Sequence, residues 1–285
     1  MSNFGNVADI GVAQYLLMPI EEIGDGTATL PHTRGHFAGR PNLLDDQGRI
    51  DTGLLTSLVD GIGGLTSGLA ILPDWIVTTN LTLRRASDAM RGPLGTGALT
   101  IDAQVLRRGR SSVVTRIDVA DLAHDAVATA WMTCAVLTPA NGPPPFVRPV
   151  PMLERSIPDD PIFAATPADF FGLAVGDAPG IVTLTVDQRL RNPWGIVHGG
   201  ASAVALDTAA RSLVVGRCTV DPTPDAVVSD LVVHYLSPGR VGPVVATAVP
   251  AGRSGDEHLV RIEVRDHGAD DRLMALSTAT VRRLD

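Results

Sequence analysis

The sequence NPWGIVHGG at residues 192–200 decides the prediction of the fold. It leads through two glycines into an apolar segment of helix length at 198–216. Glycine lets a ligand approach the backbone closely, and the first N–H groups of a helix have no partner within it. Together with the helix dipole, these donors suit a developing oxyanion, and Asn192 and His198 add polar side chains at the same helix end. By itself the segment is equally compatible with an ordinary glycine-rich helix start.

The same arrangement occurs in the first half of the chain, displaced by 147 residues. The sequence DDQGRIDTG at 45–53 leads into a second apolar segment at 51–70. The corresponding positions are Gly48 and Gly195, Gly53 and Gly200, and Asp60 and Asp207. Further along, GRS at 109–111 matches GRS at 252–254, and RIDV at 116–119 matches RIEV at 261–264. Repetition in one order with similar spacing predicts two copies of one fold.

Composition marks the boundary between the two copies. Residues 139–161 contain eight prolines, which disfavour helix and central strand and predict an extended linker. We therefore assign residues 1–138 to the first copy and 162–285 to the second.

In each copy, one apolar helix is followed by segments rich in β-forming residues. These segments are 75–85, 94–108, 111–120 and 126–138 in the first copy, and 226–236, 242–250, 257–266 and 272–283 in the second. Shorter strand candidates precede the helices at 13–20, 26–31 and 180–190. The predicted fold class is α+β, with an antiparallel sheet wrapped around a central helix, twice.

Composition and charge exclude several classes of protein. Hydrophobic residues make up 45% of the 285 residues, enough for a core, and a net charge of −8 argues against nucleic acid as the main partner. All 23 basic residues are arginines, which excludes a P-loop lysine and a Schiff-base lysine.

Metal and membrane functions are also disfavoured. The two cysteines lie far apart and are predicted to be reduced, and His32 and His36 lack an acidic partner at a metal-ligand spacing. The sequence has no signal-like N-terminus and no apolar run of membrane length, so we predict a cytoplasmic protein with no membrane partner.

Two aspartates stand out because each lies inside an apolar helix. An unpaired carboxylate is costly to bury, and burial that raises its pKa would suit a base or nucleophile. The alternative is a structural aspartate bonded to the backbone or to an arginine. The matching positions of Asp60 and Asp207 in the two copies favour a role inherited from a common ancestor.

The pattern N-x-x-G-x-x-H-G-G, with Asp207 seven residues after Gly200, resembles PaaI-like hotdog-fold acyl-CoA thioesterases. The stretch SDLVVHYLSP at 229–238 is similar to the strand that follows the helix in that family. The resemblance covers residues 165–285 well, and 13–138 match as a degenerate copy, so the chain resembles a double-hotdog protein forming an intramolecular pseudo-dimer.

The resemblance implies hydrolysis of an acyl-CoA thioester to the free acid and CoA, without a metal and with CoA only as part of the substrate. It further implies that glycine N–H groups and Asn192 polarise the thioester carbonyl. An acidic residue then activates water or attacks the carbonyl directly.

Helix geometry indicates which acid serves the loop. Gly200 and Asp207 are roughly 10 Å apart along a helix, so one thioester carbon cannot lie about 3 Å from groups at both places. If the two helices pack antiparallel, the loop of the second copy meets the acid of the first. The site then combines Asn192, His198, Gly199 and Gly200 with Asp60.

The resemblance also suggests that Thr78, on the strand after Asp60, orients the acid or the water, whereas its counterpart Val228 cannot. The reciprocal position is the second possible site, where the loop of the first copy would meet Asp207. There Asp45, Asp51 and Thr52 replace the asparagine, the histidine and the first glycine. We therefore expect one competent site, and one degraded site that contains Asp207.

The phosphates of CoA need cationic partners, and arginine forks suit them. The candidates near strand ends are Arg84, Arg85, Arg107, Arg108, Arg110, Arg240 and Arg253. Trp194, inside the loop, is a candidate for lining the acyl pocket or for a packing anchor.

Two other functions remain open on the same fold. One is hydration of enoyl-CoA, although the hydratase motif is not found, and the other is acyl-CoA binding without catalysis. Homo-oligomers of the double-hotdog chain are expected, because fused pseudo-dimers of this fold often pair again. The sequence does not specify the acyl group.

Overall fold

The computed structural model describes residues 11–86, 97–138, 146–152, 156–218, 220 and 225–284. Its helices are α1 (Gly11–Leu16), α2 (Thr52–Leu69), α3 (Pro167–Phe171) and α4 (Gly199–Val215). The strands of the first copy are β1 (Ile20–Glu22), β2 (His32–Phe37), β3 (Trp75–Arg85), β4 (Leu99–Arg108), β5 (Ser112–Asp121) and β6 (Ala126–Leu137). Those of the second are β7 (Leu173–Val175), β8 (Ile181–Leu184), β9 (Ala226–Tyr235), β10 (Val244–Ser254), β11 (Glu257–Asp266) and β12 (Arg272–Arg283).

All these strands form one 12-stranded antiparallel sheet in the order β1-β2-β4-β5-β6-β3-β9-β12-β11-β10-β8-β7. The order is symmetric about its centre. Reading inward from one edge gives the strands of the first copy, and reading inward from the other edge gives the equivalent strands of the second copy in the same order. The two copies join where β3 pairs with β9, from Asn80 opposite His234 to Arg84 opposite Asp230. The predicted α+β class with two tandem hotdog folds is thus confirmed.

The two long helices lie buried against this sheet and pack against each other. Their apolar residues account for the burial, and Leu54, Leu58 and Ile62 of α2 are at most 1% exposed. The helices run antiparallel, because Gly53 at the start of α2 contacts Val204 of α4, while Ser57 contacts Gly200 at the start of α4. The condition on which the expected site depended is therefore met.

Glycine at position 200 is required by this packing. A Cβ atom there would lie 2.7 Å from Ser57 Cβ and 2.8 Å from Ser57 Cα. Since backbone cannot move aside as a flexible side chain can, we expect Gly200→Ala to destabilise the protein by about 1–3 kcal/mol. Gly61→Ala is the matched control, because nothing lies within 4 Å of its added Cβ. Helix propensity should make the control variant neutral or slightly more stable. Urea unfolding of both variants checks this, and equal stabilities would contradict it.

Three short segments before the helices differ from prediction. Residues 13–20 were expected to be a strand but contain α1, because Tyr15 stacks on Phe170 of the second copy with ring centroids 3.7 Å apart. The strand expected at 26–31 instead occupies 32–37. The segment 180–190 divides into β8 and a 3-10 turn at Gln188–Leu190.

The predicted linker is described only in part, since 139–145 and 153–155 lie outside the described residues. Its residues 148–150 pack along β1. The Glu22 N–H donates to the carbonyl of Val150, and the N–H of Val150 donates to Glu22 Oε2, both at 2.9 Å. This part of the chain therefore extends along the edge of the first copy's half of the sheet.

Candidate active site

A cavity of about 490 Å³ lies where the two copies meet. The first copy lines it with residues of α2 and β3, among them Asp60 and Thr78. The second copy lines it with the loop at 192–198, the start of α4 and the turn after β9. The polar residues that line the cavity therefore come from both copies, which have the same fold but have diverged in sequence.

Asp60 lies at the centre of this cavity wall and is only 7% exposed. The hydroxyl of Thr78 donates to Asp60 Oδ1 at 2.9 Å, as expected for a residue that orients the acid. Asp60 Oδ2 lies 3.6 Å from His198 Nδ1, across the junction of the two copies. Gly199 makes this approach possible, because a Cβ atom there would lie 2.8 Å from Asp60 Oδ2. The acid of the first copy therefore faces the loop of the second.

The loop fixes Asn192 as a hydrogen-bond donor. Its Oδ1 accepts from the N–H groups of Trp194 at 3.0 Å and Ile196 at 3.3 Å. With the oxygen engaged, the amide NH₂ is left without a partner among the described residues and borders the cavity. The turn passes through Gly195 at φ +69°, a conformation that glycine adopts without strain.

The two glycines of the loop differ in what their N–H groups do. The N–H of Gly200 donates to His198 Nδ1 at 3.0 Å, so the histidine caps helix α4. In the neutral ring the proton is therefore on Nε2. The N–H of Gly199 has no partner within the described part of the chain. Asn192 and Gly199 are thus the donors free to bind an oxyanion, whereas the Gly200 amide, also expected in that role, is occupied.

Tyr235 is a cavity residue that the sequence analysis did not single out. Its hydroxyl donates to the carbonyl oxygen of Gly199 at 3.1 Å. Burial, and secondarily the nearby Asp60 carboxylate, raises the pKa of Tyr235 well above its ordinary value, so the hydroxyl stays protonated and can donate. Its position inside the motif at 229–238, as the last residue of β9, was the available signal, but no residue pattern links a strand end to a helix start.

The reciprocal position is filled by a buried ion cluster. Asp207 is 1% exposed, and Arg211 bonds it through Nε at 2.9 Å while reaching Asp51 through Nη2 at 3.0 Å. Arg85, itself 5% exposed, donates to the carbonyl of Ile50 at 2.7 Å. Asp207 is therefore an ion-paired structural aspartate, which is the alternative that the sequence left open.

Burial raises the pKa of Asp207 to about 6, although Arg211 opposes the shift. Because the folded pKa lies above the ordinary value of 3.8, the protonated form is bound more strongly in the folded state. This contribution to stability is complete below about pH 4 and lost as the pH rises through 6. We expect the stability of the wild type relative to Asp207→Asn to fall over this range, by about 3 kcal/mol at most. Urea unfolding at several pH values measures the difference, and a constant value would contradict the assignment.

Six of the seven arginines expected to bind phosphate do not line the cavity, and of these Arg107 and Arg108 are exposed at the end of β4. Arg84 is exposed and paired with Asp230, and Arg110 and Arg253 lie exposed at hairpin turns. Arg85 requires a correction, since it is buried in the ion cluster and cannot reach a substrate. The arginine that does line the cavity is Arg240, in the turn after β9. Trp194 also lines it, as expected.

The described ranges contain no group of three or more histidine, cysteine, aspartate or glutamate side chains arranged to hold a metal ion. None of the helices described above is long and apolar enough to cross a membrane.

Comparison with known proteins supports a single family. A family model described as "Thioesterase superfamily" matches residues 195–271. A Haemophilus influenzae protein named "Putative esterase" is 31% identical over 99 residues, which are 35% of this chain and 69% of that protein.

Solved structures extend the similarity to the whole chain. A tesB protein of Mycobacterium avium subsp. paratuberculosis superposes with a TM-score of 0.61 at 12% identity, covering 99% of this chain and all of the other. The 12:0-ACP thioesterase of Umbellularia californica gives a TM-score of 0.57 at 12% identity, covering 89% and 94% of the two chains. At these identities the structures establish a common fold.

Proposed function

Because the chain belongs to the thioesterase superfamily, we propose that it hydrolyses acyl-CoA thioesters to the free acid and CoA at the junction of its two copies. The observation that carries the proposal is the approach of the Asp60 carboxylate to Gly199, whose N–H has no partner among the described residues, in a cavity that Asn192 also lines. An acid and two oxyanion donors converging on one mostly apolar cavity suit acyl transfer to water.

In the proposed reaction the thioester carbonyl oxygen accepts from Gly199 N–H and from the NH₂ of Asn192. Both donors become stronger partners as negative charge develops on that oxygen, so they stabilise the transition state more than the substrate. The dipole of α4, whose N-terminus is at Gly199, acts in the same direction.

Asp60 brings about attack on the carbonyl carbon in one of two ways. It either takes a proton from the attacking water or attacks the carbon itself. As a base it accepts the water proton, hydroxide adds to the carbon, and the tetrahedral intermediate expels the thiolate, which recovers the proton from Asp60. Thr78 holds Oδ1, which leaves Oδ2 to react. After a single turnover in ¹⁸O-labelled water, label in Asp60 would identify direct attack, because water that opens the mixed anhydride at the aspartyl carbon leaves its oxygen there.

Arg240 supports CoA as the carrier of the acyl group. It borders the cavity, and its guanidinium makes no ion pair or hydrogen bond within the residues that the structure describes. Asp266 fixes the turn by accepting from the N–H groups of Arg240, Val241 and Gly242 at 2.7–3.0 Å. A free cation on a rigid turn at the cavity suits a CoA phosphate.

The test is thiol release from a panel of acyl-CoA thioesters, with acyl-carrier-protein thioesters and an enoyl-CoA alongside. We expect hydrolysis of acyl-CoA, and Asn192→Ala should lower kcat about 10²- to 10³-fold, the usual effect of losing one oxyanion donor. Water addition to enoyl-CoA, or binding without turnover, would replace the proposal with one of the two alternatives considered above. Faster turnover of carrier-protein thioesters would overturn the choice of CoA.

A further inference from the structure

We propose that Trp75 ends a channel for the acyl chain along helix α2, and that the enzyme selects linear apolar acyl groups by length at this residue. This inference rests on the proposed function and specifies the substrate class for the same cavity. It follows from the walls of the cavity on the far side of Asp60.

One face of α2 provides the floor of the channel. Asp60, Gly61, Gly64 and Leu65 all line the cavity and share a helix face, since the second pair lies three to five residues after the first. A Cβ atom at Gly61 would meet nothing within 4 Å, and one at Gly64 would meet only Ile76 Cδ1, at 3.8 Å. The two glycines therefore leave open space beside the acid that a side chain would fill.

Strand β3 provides the opposite wall and runs antiparallel to α2. On this strand Thr78 bonds Asp60. Three residues earlier on the strand, Trp75 packs against Gly68, which lies eight residues after Asp60 on the helix. The channel from Asp60 to this point is therefore roughly 12 Å long at the helical rise per residue. Leu65, Ile76 and Leu137 contribute apolar side chains to its lining, and Thr138 follows Leu137.

Trp75 closes the channel as a fixed wall. A Cβ atom at Gly68 would lie 2.8 Å from Trp75 Cε3, so the indole lies directly on the helix backbone with no gap. Behind it, Phe146 stacks with ring centroids 5.5 Å apart and an interplanar angle of 14°. With the ring packed against Gly68 and stacked on Phe146, and only 7% of Trp75 exposed, a longer acyl chain cannot push it aside without breaking both contacts.

An apolar channel of fixed length has a definite effect on specificity. Each further buried methylene raises kcat/KM about fourfold until the chain reaches Trp75. A chain that is one methylene too long loses roughly 10- to 200-fold. Branched or charged acyl groups do not fit a passage bounded by helix backbone and apolar side chains.

The experiment measures kcat/KM for straight-chain acyl-CoA thioesters of increasing length, together with the binding of their non-hydrolysable thioether analogues. Gly64→Val should lower kcat/KM for the longest chain that the wild type accepts by 10-fold or more and move the optimum to shorter chains. Trp75→Ala should move the optimum to longer chains, and Trp75→Phe should do so to a smaller extent. Trp131→Ala is the matched control, because Trp131 is 45% exposed on β6 and is not among the residues that line the cavity.

Opposite shifts of the length optimum in the Gly64 and Trp75 variants would support the channel. Unchanged length profiles in folded Gly64→Val and Trp75→Phe proteins would overturn it. If Trp75→Ala does not fold, these two variants still decide the question. If the wild type hydrolyses no thioester, the proposed function fails, while the binding profile of the thioether analogues still tests the channel on its own.

Discussion

Replacing Asp60 with asparagine is expected to lower kcat for acyl-CoA hydrolysis about 10²- to 10⁴-fold, the range that a positioned acid–base group contributes. Asparagine keeps the shape of the side chain and can still bond Thr78, but it can neither take a proton from water nor attack the carbonyl. Thiol release under saturating substrate measures the effect, and circular dichroism verifies the fold. KM should change little, because the oxyanion donors and the acyl channel remain.

The matched control is Asp207→Asn, the same change at the equivalent position of the other copy. Because Asp207 is bonded to Arg211 and does not line the cavity, the folded fraction of this variant should turn over at the wild-type rate. Full activity in Asp60→Asn together with loss of activity in Asp207→Asn would show that the opposite pairing of loop and acid is the correct one.

Replacing Arg211 with methionine is expected to destabilise the protein by about 3–5 kcal/mol at pH 7. The guanidinium holds Asp207 and Asp51 together, and its loss leaves a buried carboxylate without its partner. The ion pairs around it raise the pKa of Arg211, so the charge is present at any ordinary pH. Urea denaturation gives the free energy of unfolding.

The double variant Arg211→Met with Asp207→Leu distinguishes the loss of a pair from the loss of packing. Removing both members of a buried ion pair is often neutral or stabilising, so the second change should restore most of the stability. If the free energy of unfolding of Arg211→Met is less than 1 kcal/mol below that of the wild type, the ion cluster at the reciprocal position does not depend on Arg211.

Local composition predicted the long elements. The two central helices were predicted to within one residue from runs of apolar and small residues, and the eight long strands to within five residues from β-forming segments. Residues 94–96 of one predicted strand lie outside the described residues. The meeting of Asp60 with the loop followed from the antiparallel arrangement of two equivalent helices. The sequence predicted it from the helical rise and the repeat only on the condition that the helices pack antiparallel, which the structure meets.

Features that depend on distant contacts were not predictable in this way. Tyr15 is helical because it stacks on a ring 155 residues further along the chain, and nothing near it in the sequence records that contact. Arg85 and Arg84 are adjacent in the sequence, yet opposite faces of β3 place one in the ion cluster and the other in solvent. The occupied N–H of Gly200 depended on a side-chain rotamer of His198.

The ion cluster at the reciprocal position determines whether either copy could carry a complete site without the other. With the proposed roles, a homodimer of the second copy would have two polarising loops, but its acid would be the Asp207 that Arg211 now neutralises. A homodimer of the first copy would have two acids and no such loop, since Asp45, Asp51 and Thr52 stand there. Neither unit alone would then have both a polarising loop and a free acid, so the proposed activity depends on the two copies remaining together.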